Sequence, residues 1–219
     1  PTLYPTPLAL HLPRVMGIVN VTPDSFSDGD PLRDSEKVLQ EIERWESLSP
    51  ACAVYLDIGA ESTRPGASPV SHDEEWLRLK PVLQSLRQRY RGRFSGLKIS
   101  VDTRHPQTVA LALELGVDVI NDVSGLNDPA MVKLLAQSDC EVVLMHSLTI
   151  PADPRVTLPE DEANPSQWLA RWMENKLERL QHQGISRKRL ILDPGIGFGK
   201  TSLQSLKLNF CSSFNPVVV

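Results

Sequence analysis

Short, continuous apolar runs alternate with longer helical patterns along this chain, and this alternation limits the possible folds more than any other feature. We predict six strands, at residues 14–20, 52–58, 97–102, 117–122, 140–146 and 189–193. Amphipathic helices are predicted between them, at residues 35–48, 73–90, 106–115, 128–137 and 165–184, with Pro81 kinking or restarting the second. Strands that are apolar throughout are typical of a parallel sheet covered on both faces. The sequence therefore predicts an α/β fold, either a (β/α)8 barrel or a doubly wound sheet.

A polar residue stands at or just past the carboxyl end of each predicted strand. These residues are Asn20, Asp57, Asp102, Asn121, His146 and Asp193. Any one of them alone is more often a helix cap or a turn residue than a functional group. Six in succession favour the barrel, because (β/α)8 enzymes build their site at this face from the ends of several strands.

The composition argues against several classes of function. The 219 residues are 41% hydrophobic and 23% charged, carry a net charge of −4, and include three scattered cysteines. An acidic chain does not favour a nucleic-acid surface, and no apolar run approaches the ~20 residues of a membrane helix. The amino terminus lacks the basic start and apolar core of a signal peptide. We therefore expect a cytoplasmic protein without a disulfide framework that binds neither nucleic acid nor membrane.

Three of the strand-end residues have the chemistry to hold a flat nitrogen heterocycle. Asp102 and Asp193 would be costly to turn inward unless hydrogen-bond donors meet them. An aminopyrimidinone edge supplies such donors, since a carboxylate accepts two parallel hydrogen bonds and Asn121 can both donate and accept. The alternative is that these residues cap helices, which we expect of one member of the Asn121–Asp122 pair.

The segment LILDPGIGFGKT at residues 190–201 nearly matches a nucleotide-binding phosphate loop. That loop follows the pattern G-x-x-x-x-G-K-[ST], which requires glycine at position 194. The residue there is Pro194, and Asp193 precedes it at the end of an apolar run. We therefore predict a different site in which Asp193 is a ligand-binding residue.

Two polar loops follow the first two strands. In the loop after the second, Thr63 and Arg64 beside Pro65 suit a mobile clamp for phosphate, although an exposed arginine loop is also common. In the loop after the first, Asn20 could contribute to a hard-cation site together with phosphate oxygens. Phe26 could cover an aromatic ligand there, the alternative being an ordinary turn with one buried anchor.

Taken together, six segments resemble the dihydropteroate synthase family. They are MGIVNVTPDSFSDG, DIGAESTRPGA, ISVDT, VINDVSG, LMH and LDPGIGFGKT, and the resemblance covers about residues 14–204. It implies a cytoplasmic TIM barrel of folate biosynthesis, usually a homodimer and the target of sulfonamides. It also implies that Mg2+ assists the condensation of (7,8-dihydropterin-6-yl)methyl diphosphate with p-aminobenzoate, which gives 7,8-dihydropteroate and diphosphate.

The resemblance also implies roles for individual residues. Asp102, Asn121 and Asp193 look like the pterin-edge ligands, with the two carboxylates stabilising positive charge on the pterin methylene. Asn20 looks like the contact to Mg2+ and diphosphate. Further substrate contacts are implied for Phe26 in the first flexible loop, for Thr63 and Arg64, which order diphosphate and p-aminobenzoate in the second, and for Pro65 and Phe198, which flank the p-aminobenzoate ring.

The last residues depart from the family pattern. We predict a single pterin-binding domain over residues 1–219, with the barrel part at 14–204 and an atypical tail at 205–219. The family continues for two more βα units that carry basic groups, so weak or no synthase activity is expected of the chain as written. Two alternatives remain open at this point, a pterin-binding methyltransferase domain and a non-catalytic barrel remnant.

Overall fold

Six parallel strands form one sheet whose spatial order follows the chain order. The computed structural model describes residues 15–22, 36, 40, 54–62, 68–90, 97–159 and 164–209. The strands are β1 (Val15–Asn20), β2 (Val54–Gly59), β3 (Leu97–Asp102), β4 (Val119–Asp122), β5 (Glu141–Met145) and β6 (Leu190–Asp193), each within two residues of its predicted bounds. A doubly wound sheet reverses its strand order, whereas a barrel winds in one direction. The observed order therefore selects the TIM-barrel type, of which these strands form a half-barrel.

Helices connect the strands as the sequence predicts. They are α1 (His72–Tyr90), α2 (Pro106–Glu114), α3 (Pro129–Ala136), α4 (Pro165–His182) and, beyond the predictions, α5 (Ser202–Asn209). The predicted helix at 35–48 lies outside the described residues except for Glu36 and Gln40, which are both helical. None of the helices in the described ranges is long and apolar enough to cross a membrane.

Pro81 does not restart α1, so the expected restart is wrong, whereas the alternative expectation of a kink stays a prediction. The helix continues through Pro81 from His72 to Tyr90. Proline removes one backbone donor, which leaves the carbonyl four residues earlier, at Leu77, without its helical partner. Leu77 is 68% exposed, so that carbonyl lies on the side of the helix that water can reach. The lost hydrogen bond is therefore tolerated without ending the helix.

Polar caps fix where two of the later helices begin. Asp128 accepts a hydrogen bond from the Ala130 amide at 2.8 Å at the start of α3. Asn164 accepts one from the Gln167 amide at 3.1 Å at the start of α4. Each cap is followed directly by proline, which is favoured at the first helical position because its missing N–H would have no partner there.

The outer face of the sheet packs against the helices in one large hydrophobic cluster. Leu56 and Ile58 of β2 meet Leu79 and Leu83 of α1 in this cluster, and all four side chains are fully buried. The inner face has a second cluster, formed by Met16, Tyr55, Val119, Val143 and Ile191 from five strands. Burial on both faces is the physical reason that the inner strands of the sheet are continuous apolar runs, whereas Val15 and Ile18 of β1 are exposed.

An ion pair lies at the amino-terminal end of the barrel interior. Lys98 Nζ donates to Glu141 Oε2 at 2.6 Å, and the Tyr55 hydroxyl lies 3.3 Å from the same oxygen. The Lys98 ammonium also lies 5.5 Å from the centre of the Tyr55 ring. Both signs of charge are therefore present at this end and compensate each other.

Candidate active site

The carboxyl ends of the strands carry a row of polar side chains on the inner face. The strand register pairs Asn20 with Gly59, Gly59 with Asp102, and Asp102 with Asn121. Partners in a parallel sheet point to the same face, and this face also holds the inner hydrophobic cluster. The structure therefore places Asn20, Asp102 and Asn121 on one inner rim. Asp193, paired with Met145 at the end of β6, lies farther along that rim.

Asp57 connects these residues, although its position at a strand end alone predicted no specific role for it. It lies one inner-facing position below Gly59 on β2 and is only 3% exposed. Its carboxylate accepts hydrogen bonds from Ser100 Oγ at 2.5 Å and from Asn121 Nδ2 at 2.8 Å. Burial raises the pKa of Asp57 despite these two donors, and the nearby Asp193 carboxylate raises it further. Asp57 is thus a buried acceptor below the rim.

Asn121 presents an unsatisfied acceptor. Its Nδ2 is taken by Asp57, while its Oδ1 is buried and has no hydrogen-bond partner within the described part of the chain. A buried polar atom without a partner is uncommon in a folded protein and costs free energy. A ligand that donates a hydrogen bond at this position would remove that cost.

Asp102 is a carboxylate without a described donor. Burial raises its pKa well above the ordinary value, and the nearby carboxylates of Asp57 and Glu75 raise it further. A Cβ on Gly59 would lie 3.3 Å from the Asp102 side chain, so the glycine at this position allows Asp102 to lie close against β2. Neutral hydrogen-bond donors on a ligand would favour the ionised form of Asp102.

Asp193 also retains capacity for a ligand. The Gly195 amide donates to its Oδ1 at 2.7 Å, which closes the turn after β6. Burial raises the pKa of Asp193, while the Gly195 amide and the Lys200 ammonium oppose the shift. One member of the Asn121–Asp122 pair was expected to cap a helix. Asp122 accepts hydrogen bonds from the Ser124 and Leu126 amides, and these hold a turn, not a helix.

Lys200, the lysine of the apparent phosphate loop, makes contacts within the protein. Its buried ammonium contacts His146 Nδ1 at 2.7 Å and donates to the carbonyls of His146, Gly195 and Phe198 at 3.0, 2.9 and 2.9 Å. Burial lowers the pKa of Lys200 to about 7. Lys200 therefore holds the turn after β6 against the end of β5 and is not directed at a phosphate.

His146 belongs to the same support. Burial and then the Lys200 charge lower its pKa to about 4, so the imidazole is neutral and can accept from Lys200. Its ring meets Trp168 and Trp172 of α4 edge to face, at centroid distances of 5.2 and 4.7 Å. Gly195 packs so tightly here that a Cβ would lie 2.0 Å from the His146 carbonyl oxygen.

The structure places only some of the loop residues named above. Phe198 is half-buried in the turn after β6, and Asn20 is exposed at the end of β1. Phe26, Thr63, Arg64 and Pro65 lie outside the described residues.

A network of charged residues flanks the segment that contains Thr63 and Arg64. Glu61 accepts from Arg104 at 2.7 and 2.8 Å and from the Val70 amide at 2.9 Å. His105 Nε2 lies 3.0 Å from the Val70 carbonyl. Glu61, Glu75 and His105 are close enough to hold a metal ion. Because Arg104 already binds both oxygens of Glu61, we interpret the group as an ion-pair network and assign no cation to it.

A parallel half-barrel, with acceptors at the carboxyl ends of its strands that the described residues leave unsatisfied, has the form of a TIM-barrel ligand site of the enzyme type. The family model described as pterin binding enzyme matches residues 16–210. The dihydropteroate synthase of Neisseria meningitidis serogroup C is 40% identical over 203 residues, covering 92% of this chain and 68% of the relative. This chain therefore belongs to the dihydropteroate synthase family of pterin-binding enzymes.

Solved structures of the same family share the fold. The dihydropteroate synthase of Anaplasma phagocytophilum with bound 6-hydroxymethylpterin-monophosphate aligns with a TM-score of 0.75 and 34% identity, covering 89% of this chain and 70% of that one. The Xanthomonas albilineans enzyme with 4-aminobenzoic acid aligns with a TM-score of 0.74 and 36% identity, covering 92% and 68%. Both are consistent with the TIM-barrel assignment.

The chain is shorter than its relatives. It spans 68% of the Neisseria enzyme. It spans 22% of a probable bifunctional folylpolyglutamate synthase/dihydropteroate synthase of Haloferax volcanii, to which it is 37% identical over 201 residues, or 89% of this chain. The comparisons therefore establish the family, and the activity of the whole protein is proposed on that basis.

Proposed function

We propose that this chain forms the pterin-binding part of a dihydropteroate synthase. The reaction condenses (7,8-dihydropterin-6-yl)methyl diphosphate with p-aminobenzoate. The observation that carries the proposal is the set of acceptors at the carboxyl end of the barrel, namely the Asp102 carboxylate and the buried Oδ1 of Asn121, which has no partner among the residues that the structure describes. The comparisons favour this function over the methyltransferase and the non-catalytic remnant, because the relatives and structures compared above are dihydropteroate synthases.

In this proposal the pterin ring is held by its donor edge. A pterin carries ring N–H and amino groups, and the described residues Asp102, Asn121 and Asp193 offer acceptors that such groups can meet. Hydrogen bonds from neutral donors to a carboxylate are stronger than those between neutral groups. The ligand would also offset the cost of keeping these acceptors buried. The same hydrogen bonds would therefore bind the pterin and satisfy the buried acceptors.

The proposed reaction is a substitution at the pterin methylene carbon. The bond to the bridging diphosphate oxygen breaks, and diphosphate leaves with the electron pair. The amine nitrogen of p-aminobenzoate forms the new bond to carbon and releases one proton to solvent. Positive charge on the methylene is stabilised electrostatically by the carboxylates of Asp102 and Asp193. No covalent bond to the protein is required.

The remaining predicted residues act on the two other groups. Thr63 and Arg64 would help to order the diphosphate and p-aminobenzoate, and a planar guanidinium is well suited to the diphosphate. Phe26, Pro65 and Phe198 would flank the p-aminobenzoate ring. These assignments rest on the family resemblance and on the position of Phe198 in the turn that Lys200 holds.

Mg2+ is the proposed cofactor, and Asn20 is the residue that would contribute to its site. The exposed side chain of Asn20 lies at the end of β1, two strands along the same rim from Asp102. An amide oxygen together with diphosphate oxygens forms the all-oxygen donor set that Mg2+ prefers, so the residue fits the ion. When bound, the ion would supply charge neutralisation for the departing diphosphate. Homodimer formation and a cytoplasmic location stay predictions from the sequence.

A coupled assay tests the proposal. Dihydropterin diphosphate, p-aminobenzoate and Mg2+ are supplied to this chain and to a chain that spans the full length of the relatives. We expect 7,8-dihydropteroate from the full-length chain and saturable dihydropterin binding by both. A full-length chain that makes no product, although it is folded and binds Mg2+, would contradict the assignment.

A further inference from the structure

The orientation of one buried amide decides which kind of ligand edge this site accepts. An asparagine side chain presents a donor at Nδ2 and an acceptor at Oδ1, and the two ends are nearly alike in shape. Asn121 is 7% exposed, so neither end can turn freely into water. Its neighbours therefore determine whether a ligand meets a donor or an acceptor at this position.

Asp57 is the neighbour that determines the orientation of the Asn121 amide. Its Oδ2 accepts from Asn121 Nδ2 at 2.8 Å, which directs Asn121 Oδ1 away from Asp57. Asn121 Oδ1 is the buried acceptor that has no partner within the described residues. A flipped amide would place Oδ1 against the Asp57 carboxylate, and with that carboxylate ionised two acceptors would face each other. The observed orientation is thus the one that Asp57 permits.

Ser100 holds Asp57 in place. Ser100 Oγ donates to Asp57 Oδ1 at 2.5 Å, and Ser100 is fully buried on β3 next to Asp57 in the strand register. With Ser100 on one oxygen and Asn121 on the other, both oxygens of Asp57 accept hydrogen bonds inside the barrel. Ser100 from β3 and Asn121 from β4 therefore both donate to Asp57 of β2, which leaves Asn121 Oδ1 as the acceptor without a partner within the described residues.

We propose that Asp57, held by Ser100, is a positioning residue that fixes the Asn121 amide with its oxygen toward the ligand, so that the site selects a heterocycle carrying an N–H group there. The inference rests on the proposed function, since it assumes that a pterin-like ring binds at this rim. It adds the rule by which the site distinguishes ligands of nearly the same shape. A ring whose corresponding atom is a bare nitrogen or a carbonyl oxygen would face Asn121 Oδ1 as a second acceptor and would bind more weakly.

Two ligand pairs together test this rule, because they differ at two edges of the ring, of which Asn121 meets one and the carboxylates of Asp102 and Asp193 meet the other. 6-Hydroxymethyl-7,8-dihydropterin has an N–H at ring position 8, where 6-hydroxymethylpterin has a bare nitrogen. Pterin has an amino group at position 2, where lumazine has an oxygen, and lumazine has an N–H at position 1, where pterin has a bare nitrogen. We expect the chain to prefer the dihydropterin in the first pair and pterin in the second by about tenfold or more, since mismatched hydrogen-bonding groups in a buried site are strongly disfavoured.

The variant Asp57→Asn should change one of these preferences. Ser100 can still donate to the oxygen of the new amide, whose nitrogen then points at Asn121 and favours the flipped orientation. Asn121 would in that case present Nδ2 to the ligand. We expect the preference to fall at least tenfold or to invert in the pair whose differing group meets Asn121. The preference in the pair whose differing group meets Asp102 or Asp193 should stay within twofold of the parent value.

The double variant Asp57→Asn with Asn121→Asp is the matched rescue. One oxygen of the new carboxylate accepts from the new amide at position 57, and the other oxygen again faces the ligand as an acceptor. We expect the lost preference to return toward the parent value. A merely structural role of Asp57 would lower the affinity for all four ligands by the same factor and would not be rescued in this way.

The outcomes separate this inference from the proposed function. Circular dichroism and calorimetric titration of all four ligands against the parent chain and both variants give the needed data. Pterin binding that depends on Asp102 but shows unchanged ratios in Asp57→Asn overturns the inference and leaves the function standing. Absence of any pterin binding by the folded parent overturns both. A ligand-free check is the side-chain NH2 of Asn121, whose hydrogen exchange we expect to be slow in the parent and faster in Asp57→Asn.

Discussion

The two ends of the barrel interior differ in whether their charged side chains have partners of opposite charge among the described residues. At the amino-terminal end, Lys98 and Glu141 form an ion pair at 2.6 Å. At the carboxyl end, the described residues provide no ion pair for Asp57, Asp102 or Asp193, and burial raises the pKa of all three. At the amino-terminal end the two charges attract each other. At the carboxyl end the carboxylates lie in an environment that disfavours their charge.

This difference shows how one fold separates stability from binding. A buried carboxylate without a cation or enough donors lowers the stability of the folded chain. Barrel enzymes carry function at the carboxyl ends of the strands and stability at the other end. On the function proposed above, a ligand supplies the hydrogen bonds that the described residues do not give to the acidic rim, and the predictions below test that contrast.

The largest effect is expected from Asp102→Asn and Asp193→Asn. Each should weaken dihydropterin binding by about 1.5–3 kcal/mol, because a hydrogen bond to a charged acceptor is lost. Neither should destabilise the chain, since the amide removes a buried charge while keeping the shape. Calorimetry and urea unfolding measure the two quantities. Equal affinity in the parent and both variants, with Glu141→Gln as the control at the opposite end, would disprove the assigned role.

The next effect concerns the turn after β6. Lys200→Met should destabilise the chain by about 1–3 kcal/mol, because the carbonyls of His146, Gly195 and Phe198 lose a shared donor. The amide of Phe198 should exchange faster, as measured by hydrogen-exchange mass spectrometry. Lys207→Met on exposed α5 is the control and should change neither quantity. An unaltered turn in Lys200→Met would show that Lys200 does not hold it.

A pH effect follows from His146. Its pKa is about 4 in the folded chain, against an ordinary value of 6.5. Between those values the unfolded chain binds the proton and the folded chain does not, so stability falls as pH drops from 6.5 to 4, by up to roughly 3 kcal/mol. His146→Asn keeps an acceptor for Lys200 but does not titrate. The difference in unfolding free energy between parent and variant should vary with pH in this window, and a constant difference would refute the shift.

The smallest effect belongs to the compensated end. Glu141→Gln should lower the unfolding free energy by less than about 1 kcal/mol, because Lys98 and Glu141 are partly exposed and water screens their attraction. Dihydropterin affinity should stay the same, as a titration of the variant would show. A marked loss of affinity would mean that the two ends of the interior are not separate in function.

Much of the fold was accessible from local sequence patterns. The strand bounds agree within two residues because continuous apolar runs mark strands that are buried on both faces. The choice between barrel and doubly wound sheet followed from polar residues such as Asn20 and Asp193 at the strand ends. Helix α5 was missed, since its eight residues have only a weak amphipathic pattern.

The supporting contacts of the site were not accessible in this way. Asp57 reaches Asn121 across 64 positions of sequence, and Lys200 reaches His146 across 54. No local periodicity reports such pairs. The inner-facing position of Asp57, two residues before Gly59 on the same strand face, was the available signal, and the register of β2 with β3 is needed to use it. The roles of the loop residues Thr63, Arg64, Pro65 and Phe26 stay predictions.

The most direct test of the account is a crystal structure of this chain with 6-hydroxymethyl-7,8-dihydropterin bound. We predict that the ring lies at the carboxyl end of the barrel, with ligand N–H groups within hydrogen-bond distance, about 3 Å, of Asp102, Asp193 and Asn121 Oδ1. A ring bound elsewhere, or bound at the rim with Asp102 and Asn121 Oδ1 still without donors, would contradict the claim that the ligand supplies the missing hydrogen bonds.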